Sequence, residues 1–257
     1  MSRSIYKLIQ AAGPGEINDV FADIRALVDN DNQVFAKAAP ELAQYNKSQL
    51  LVVKVDGEDT VLSEEAELAD GRFQDARRGK VFAFDHLTLK ASDTETAPVP
   101  TAVKTLAASV EAYTQEHFPS AAFSVTPQGD NLVVSIVGNK YSPDNFWTGR
   151  WRSTYVVGKS RLDGTILLDV HYYEDGNVRL LTQKQVEAVA EPSTAVRSIA
   201  QAEKKYQEEL NRAFGVLGEG SFKELRRALP VTRSKINWDS VASMRIGQEI
   251  QGGRERA

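Results

Sequence analysis

Apolar residues recur at steps of three and four through Val196, Ile199, Ala202, Tyr206, Leu210, Ala213 and Leu217, which lines one side of an α-helix. Pro192 suits a first turn, Ser193 and Thr194 can cap nearby amides, and the glycines from Gly215 onward supply a break. At 1.5 Å per residue, a helix from Pro192 to Leu217 spans about 39 Å. That is the width of a domain, so this helix is expected to lie as a crossbar over a broad layer. At the other end, Ile17, Val20, Phe21, Ile24, Leu27 and Val28 share one helical face after the breaker Gly13-Pro14-Gly15. Ile5, Leu8 and Ile9 predict a short helix before it; Val34, Phe35, Ala38, Leu42 and Tyr45 predict a third, interrupted at Pro40. Short connections favour an antiparallel three-helix bundle over residues 1–46.

Between these ends the period shortens. Leu50 to Val55 is strand-like and is followed by the turn Asp56-Gly57; Lys80 to Leu87 reads as another strand. Asp59 to Arg78 is expected to be irregular and Ser92 to Pro100 a linker, with a helix at Thr101 to His117 carrying Val103, Leu106, Val110 and Tyr113 on one side. From Ala121 to about Val189 the period is two. Strands are expected at Phe123 and Val125, Leu132 to Val137, Trp151 to Val157, Ile166 to Tyr173 and Val178 to Leu181, with turns near Gly129, Asp144 and Asp163-Gly164. Sequential strands with short links form an antiparallel meander. Asp175-Gly176 matches a two-residue hairpin that sets Tyr173 opposite Val178 and His171 opposite Leu180. Apolar residues on both faces of the Ile166 strand imply a sheet covered on both sides, by the long helix on one and by Thr101 to His117 or another chain on the other.

The fold class is therefore α+β: an N-terminal three-helix stalk (1–46), a linking region (47–120), an antiparallel sheet (121–190), a long helix across it (191–220) and a basic segment (221–257). With 257 residues, 42% apolar and 26% charged, the chain has ordinary globular composition. It has no apolar run of membrane-spanning length, no signal core at Met1 to Tyr6 and no cysteine, which fits a cytoplasmic protein without disulfides. Charge is uneven. Residues 221–257 hold eight Lys/Arg and four Asp/Glu, a balance of +4, so the remaining chain carries −8 of the net −4. A cationic appendage on an acidic body points to an acidic partner surface.

No residue set supports catalysis, a metal or a cofactor. Gly79-Lys80 lacks the phosphate-loop spacing, no serine sits in Gly-x-Ser-x-Gly, and His86, His117 and His171 follow no ligand pattern. In Asn145-Phe146-Trp147-Thr148-Gly149-Arg150-Trp151-Arg152-Ser153, interleaved Trp and Arg could stack on nucleic-acid bases. The acidic body argues against nucleic acid, and the simpler expectation is a strand with Trp151 inward and Arg150 and Arg152 outward. In the basic segment Lys223 and Arg227 share one side of a helical turn, and Trp238, Ala242, Ile246 and Ile250 form a ladder at steps of four. Such a stripe fits a groove on a partner, or packs back on its own domain.

Asn145 to Ser153, together with Pro14 to Phe21, Gln44-Tyr45-Asn46, Phe84-Asp85-His86-Leu87, His171 to Val178 and Leu225-Arg226-Arg227-Ala228-Leu229-Pro230-Val231-Thr232-Arg233, resembles the alpha subunit family of the F-actin capping proteins along nearly the whole chain. Departures lie at Val156 to Asp163, Gly215 to Ser221 and the ending from Gly252. The resemblance implies an obligate heterodimer with a beta subunit, a sheet continuous across both subunits and a mobile, amphipathic C-terminal helix. It also implies non-catalytic, calcium-independent capping of the barbed end of actin filaments in the cytoplasmic cytoskeleton. Matched by motif, the actin contacts fall on Lys223, Arg227 and Arg233, with Trp238, Ile246 and Ile250 adding an apolar stripe. Anionic phosphoinositides and capping regulators are the further partners it suggests. A membrane-surface module using the same cationic segment is the alternative.

Overall fold

A computed structural model describes residues 2–29, 31–174 and 177–219. Three helices open the chain: α1 (Ser2–Ala11), α2 (Ile17–Leu27) and α3 (Asn32–Ser48). Ile5, Ile9, Ala12, Ile24, Leu42 and Tyr45 form their buried core, with Ile17, Val20, Phe21 and Val28 packed against it. Leu27, expected on that face, is instead 75% exposed. Asp31 caps α3 by accepting a hydrogen bond from the Gln33 amide at 2.8 Å. The helix does not break at Pro40 but runs through it; proline removes one internal hydrogen bond there, and the turns on either side hold. The side chains of Val34, Phe35 and Ala38 lie outside those described.

Two small sheets follow. β1 (Val52–Val55) and β2 (Glu58–Val61) form a hairpin across Asp56-Gly57. Both turn residues have positive φ, 51° and 86°, the backbone that lets a two-residue link follow the strand twist. β3 (Phe73–Asp75), β4 (Lys80–Asp85) and β5 (Lys90–Thr96) make the second sheet. The irregular stretch expected over Asp59 to Arg78 thus contains two strands. Its charges hid them: Arg78 pairs with Asp75 at 2.9 Å and Glu58 at 3.3 Å, so polar residues face one another between elements. The expected linker at Ser92 to Pro100 is likewise half strand, because β5 completes the ladder of β4.

After α4 (Thr101–His117) comes the five-stranded antiparallel meander: β6 (Ala122–Gln128), β7 (Asn131–Ser142), β8 (Trp147–Val157), β9 (Arg161–Tyr172) and β10 (Val178–Val189), in that spatial order. A 3-10 turn, Pro143–Asn145, links β7 to β8. Asp163-Gly164 is not a turn but part of β9. Gly164 lies opposite Tyr155, and a Cβ there would stand 2.3 Å from the tyrosine ring. Glycine serves a close approach at this position. The last hairpin also differs by one residue from the expected register: Val178 faces Tyr172 and Arg179 faces His171. Tyr173 leaves the ladder because its amide donates to the Phe146 carbonyl at 2.9 Å; Asp175 and Gly176 lie outside the described residues.

The crossbar is α5 (Ala195–Glu219), preceded by a turn in which the Thr194 hydroxyl and Glu191 backbone bond reciprocally. It continues through Gly215, whose missing side chain faces open space. Its buried face is Ala195, Ile199, Glu203, Tyr206 and Phe214, while Ala213 and Leu217 of the expected stripe are exposed. α4 lies on the same face of the sheet as α5, not opposite it: Phe118, just after α4, meets Trp151 at 6.2 Å and Tyr206 of α5 meets Trp151 at 5.7 Å. The other face is covered at its centre by the end of α3 and by the β1–β2 hairpin, where Leu50, Val61 and Val137 pack together.

Candidate functional site

The platform begins with β8. Alternation sends Trp147, Trp151, Ser153, Tyr155 and Val157 toward α4 and α5, and Thr148, Arg150 and Arg152 toward the stalk. Both arginines, expected to point into solvent, are buried. Their cover consists of acceptors. Arg152 Nη1 donates to the Ser48 carbonyl at the end of α3. Arg150 donates to Asn139 Oδ1 at 2.6 Å, Gln49 Oε1 at 3.1 Å and Tyr141 Oη at 3.1 Å. A helix end leaves carbonyls unsatisfied and carries partial negative charge, so a guanidinium is a suitable terminus for it. Burial, and then neighbouring Arg150, push the Arg152 pKa down to about 10.

Arg179 of β10 repeats the device. It grips the buried Asp169 carboxylate through two bonds, at 2.9 and 2.7 Å, and its remaining N–H groups donate to the Ala11 and Ala12 carbonyls that end α1. The Asp169 hydrogen bonds raise the Arg179 pKa. Glu16, in the link after α1, meets His171 Nδ1 of β9. The stalk is therefore fastened to the sheet at the ends of two helices by three arginines. The interleaved Trp and Arg of Phe146 to Ser153 are accounted for by this two-sided strand.

On the helical face stands a buried carboxyl group that the sequence pattern did not mark. Glu203 of α5 is 0% exposed. Its carboxylate accepts hydrogen bonds from Tyr113 Oη of α4 at 2.6 Å, Ser153 Oγ at 2.7 Å and Tyr155 Oη at 2.8 Å. Burial raises the Glu203 pKa against the opposing pull of these donors, and burial and the carboxylate raise both tyrosines. In Ala202-Glu203-Lys204-Lys205 it reads as one more solvated charge; only the phase of Ala195, Ile199 and Tyr206 places it inward.

Glu203 meets Ser153 and Tyr155, and Tyr206, nearly one turn on, meets Trp151 and donates to Thr182 Oγ1 at 3.0 Å. α5 thus runs against β8 toward the sheet end that carries Trp147, Tyr172 and Val178, which are register partners. Residues 221–257 follow it. The predicted contacts Lys223, Arg227, Arg233, Trp238, Ile246 and Ile250 all lie outside the described residues.

The remaining open feature is β10, which pairs only with β9 among the described residues. Its residues alternate. Thr182, Lys184, Val186 and Ala188 turn toward α5, while Leu181, Gln183, Gln185, Glu187 and Val189 are exposed. Leu181 is 62% and Val189 93% exposed. An open edge beside uncovered apolar groups is a pairing surface.

The sequence model described as F-actin capping protein alpha subunit matches residues 5–249. A Neurospora crassa protein named F-actin-capping protein subunit alpha is 46% identical, over 98% of this chain and 97% of its own length. The chain belongs to the F-actin capping protein alpha subunit family. A Caenorhabditis elegans relative of the same name is 34% identical over 95% of this chain and 94% of its length. In three dimensions, the homodimeric actin capping protein alpha subunit of Plasmodium berghei aligns with a TM-score of 0.73 at 19% identity, covering 91% of this chain and 98% of that one. The capping-alpha fold thus persists where sequence has largely diverged. Among the described residues no group of His, Cys, Asp and Glu could hold a metal ion, and no helix is long and apolar enough to cross a membrane.

Proposed function

We propose that this chain is the non-catalytic alpha subunit of a heterodimer that caps the barbed end of actin filaments and blocks subunit exchange there, independently of calcium. The carrying observation is a family match that runs from residue 5 to residue 249 and so takes in the basic segment as far as Glu249. The beta subunit takes the open edge of β10, extending the sheet and covering Leu181 and Val189. Residues 221–257, at +4, are steered to the acidic surface of actin, and their Trp238, Ile246 and Ile250 stripe slows release. Lys223, Arg227 and Arg233 supply the charge.

Co-expression with a beta subunit followed by sizing, and seeded elongation with the purified heterodimer, test this reading. Replacing Lys223, Arg227 and Arg233 together by Ala is expected to weaken capping by about tenfold or more, since each lost contact of this kind costs on the order of 1 kcal/mol, and to leave dimerisation intact. Unchanged capping would remove the assignment. The same +4 segment favours a second reading, attachment to anionic phosphoinositides, with lipid acting as an inhibitor of capping. Co-sedimentation with vesicles, with and without anionic lipid, separates the two.

A further inference from the structure

A cleft of about 200 Å³ opens where the β1–β2 hairpin, the turn after β3, the end of α4 and the start of β6 meet. Six charged side chains line it: Lys54, Glu58, Asp59, Arg77, Arg78 and Glu111. Four are matched to one another. Lys54 pairs with Asp59 at 2.9 Å and Arg78 with Glu58 at 3.3 Å. Arg77 and Glu111 are left. Among the described residues neither side chain has a hydrogen bond or an ion pair, and the Arg77 Nε is buried without an acceptor.

Arg77 is nonetheless held in place. Its guanidinium carbon sits 4.2 Å over the Phe123 ring centroid. A guanidinium held against a ring keeps its planar fork of N–H donors, the group that takes a carboxylate by two parallel bonds. Burial, and then Arg78, push the Arg77 pKa below the usual arginine range against the pull of Asp75, Glu111 and Glu58; a buried donor without an acceptor carries a desolvation cost that an incoming acceptor offsets. Glu111 is exposed at the rim, close enough to Arg77 to raise its pKa, and offers an acceptor beside the guanidinium. Glu111, the acidic group of the cleft without an ion pair, opposes a doubly charged phosphate more than a singly charged carboxylate.

We infer that the cleft binds a carboxylate carrying a neighbouring N–H donor, with the Arg77 guanidinium taking the carboxylate and Glu111 taking the N–H. Two sources share that chemistry: the free end of a peptide chain and an aspartate side chain within one. The volume suits the tip of one residue, being smaller than the roughly 300–1,000 Å³ that enclose a drug-sized ligand. This inference is independent of the capping reading.

The full-length chain, with arginine nitrogens isotopically labelled, is titrated with N-acetylglycine, with acetyl-Ala-Asp-Ala-amide and with inorganic phosphate while the Arg77 Nε–H resonance is followed. At least one carboxylate is expected to shift it saturably at millimolar concentration, about tenfold more tightly than phosphate, and the tighter of the two identifies the source. Arg77→Gln abolishes saturable binding, read from Phe123 and its neighbours. Arg77→Lys, which keeps the charge but loses the fork, weakens it, and Glu111→Gln narrows the preference over phosphate. Absence of saturation by both carboxylates, equal binding of phosphate, or unchanged binding in folded Arg77→Gln or Arg77→Lys protein would overturn the inference.

Discussion

Ser153 Oγ donates a 2.7 Å hydrogen bond to Glu203 Oε1, joining β8 to α5 across fifty residues of chain at a site closed to solvent. With Tyr155 on the same oxygen and Tyr113 on the other, the carboxylate ties the sheet to both covering helices. Apolar contacts alone hold layers together without preferring one sliding position; a carboxylate with three directed donors prefers one.

Removing that acceptor should be costly. Glu203→Ala leaves three buried hydroxyls without it and is expected to destabilise the protein by about 3–5 kcal/mol. Glu203→Gln, which keeps one oxygen, should lose less. Denaturant unfolding of the three proteins measures the order.

The same residue sets a pH dependence. The folded-state pKa of Glu203 is raised from 4.5 by burial, so its favourable contribution is fully present below 4.5 and is lost as pH rises through the folded-state value. The stability of the native protein relative to Glu203→Gln is therefore expected to fall as pH rises above 4.5. A difference that grows with pH would contradict the assignment of the burial effect.

Arg179 connects two elements, and its loss should register in both. Arg179→Ala strands the buried Asp169 carboxylate, a change of about 3–5 kcal/mol, and leaves the Ala11 and Ala12 carbonyls without their guanidinium partner. Hydrogen exchange in α1 is expected to rise more than in β7, which it does not touch.

Gly164→Ala would place a methyl 2.3 Å from the Tyr155 ring and 2.8 Å from the Thr154 carbonyl. Overpacking of this kind costs about 1–3 kcal/mol, and because Tyr155 also holds Glu203, the displacement reaches α5. A thermal melt shows a lowered midpoint; an unchanged one would mean the strands part without strain.

Leu181→Asp addresses the open edge. The side chain is exposed in the single chain, so its replacement should leave the isolated fold intact. Co-expression with a beta subunit should recover at least about tenfold less heterodimer, consistent with burying an unpaired carboxylate at an interface.

Much of this architecture is written in local spacing. The three stalk helices, the first strand and its Asp56-Gly57 turn, α4, the meander and α5 follow from runs whose periods of 3.6 and 2 are set by backbone geometry. The charge separation of residues 221–257 from the body is likewise present in the sequence alone, as are the motifs that identify the family. What the spacing could not decide were relations between distant residues. Glu58 to Val61 pairs with Val52 to Val55 and Phe73 to Asp75 with Lys80 to Phe82, and the charges of Asp75, Arg78 and Glu58 meet between those sheets. Arg150 and Arg152 are buried because the α3 end supplies acceptors, and Glu203 because three hydroxyls converge on it. Tyr173 gives up a ladder position for the Phe146 carbonyl. Whether a polar side chain is solvated or buried depends on which partners its own desolvation can be set against, and those partners come together only when the chain is folded.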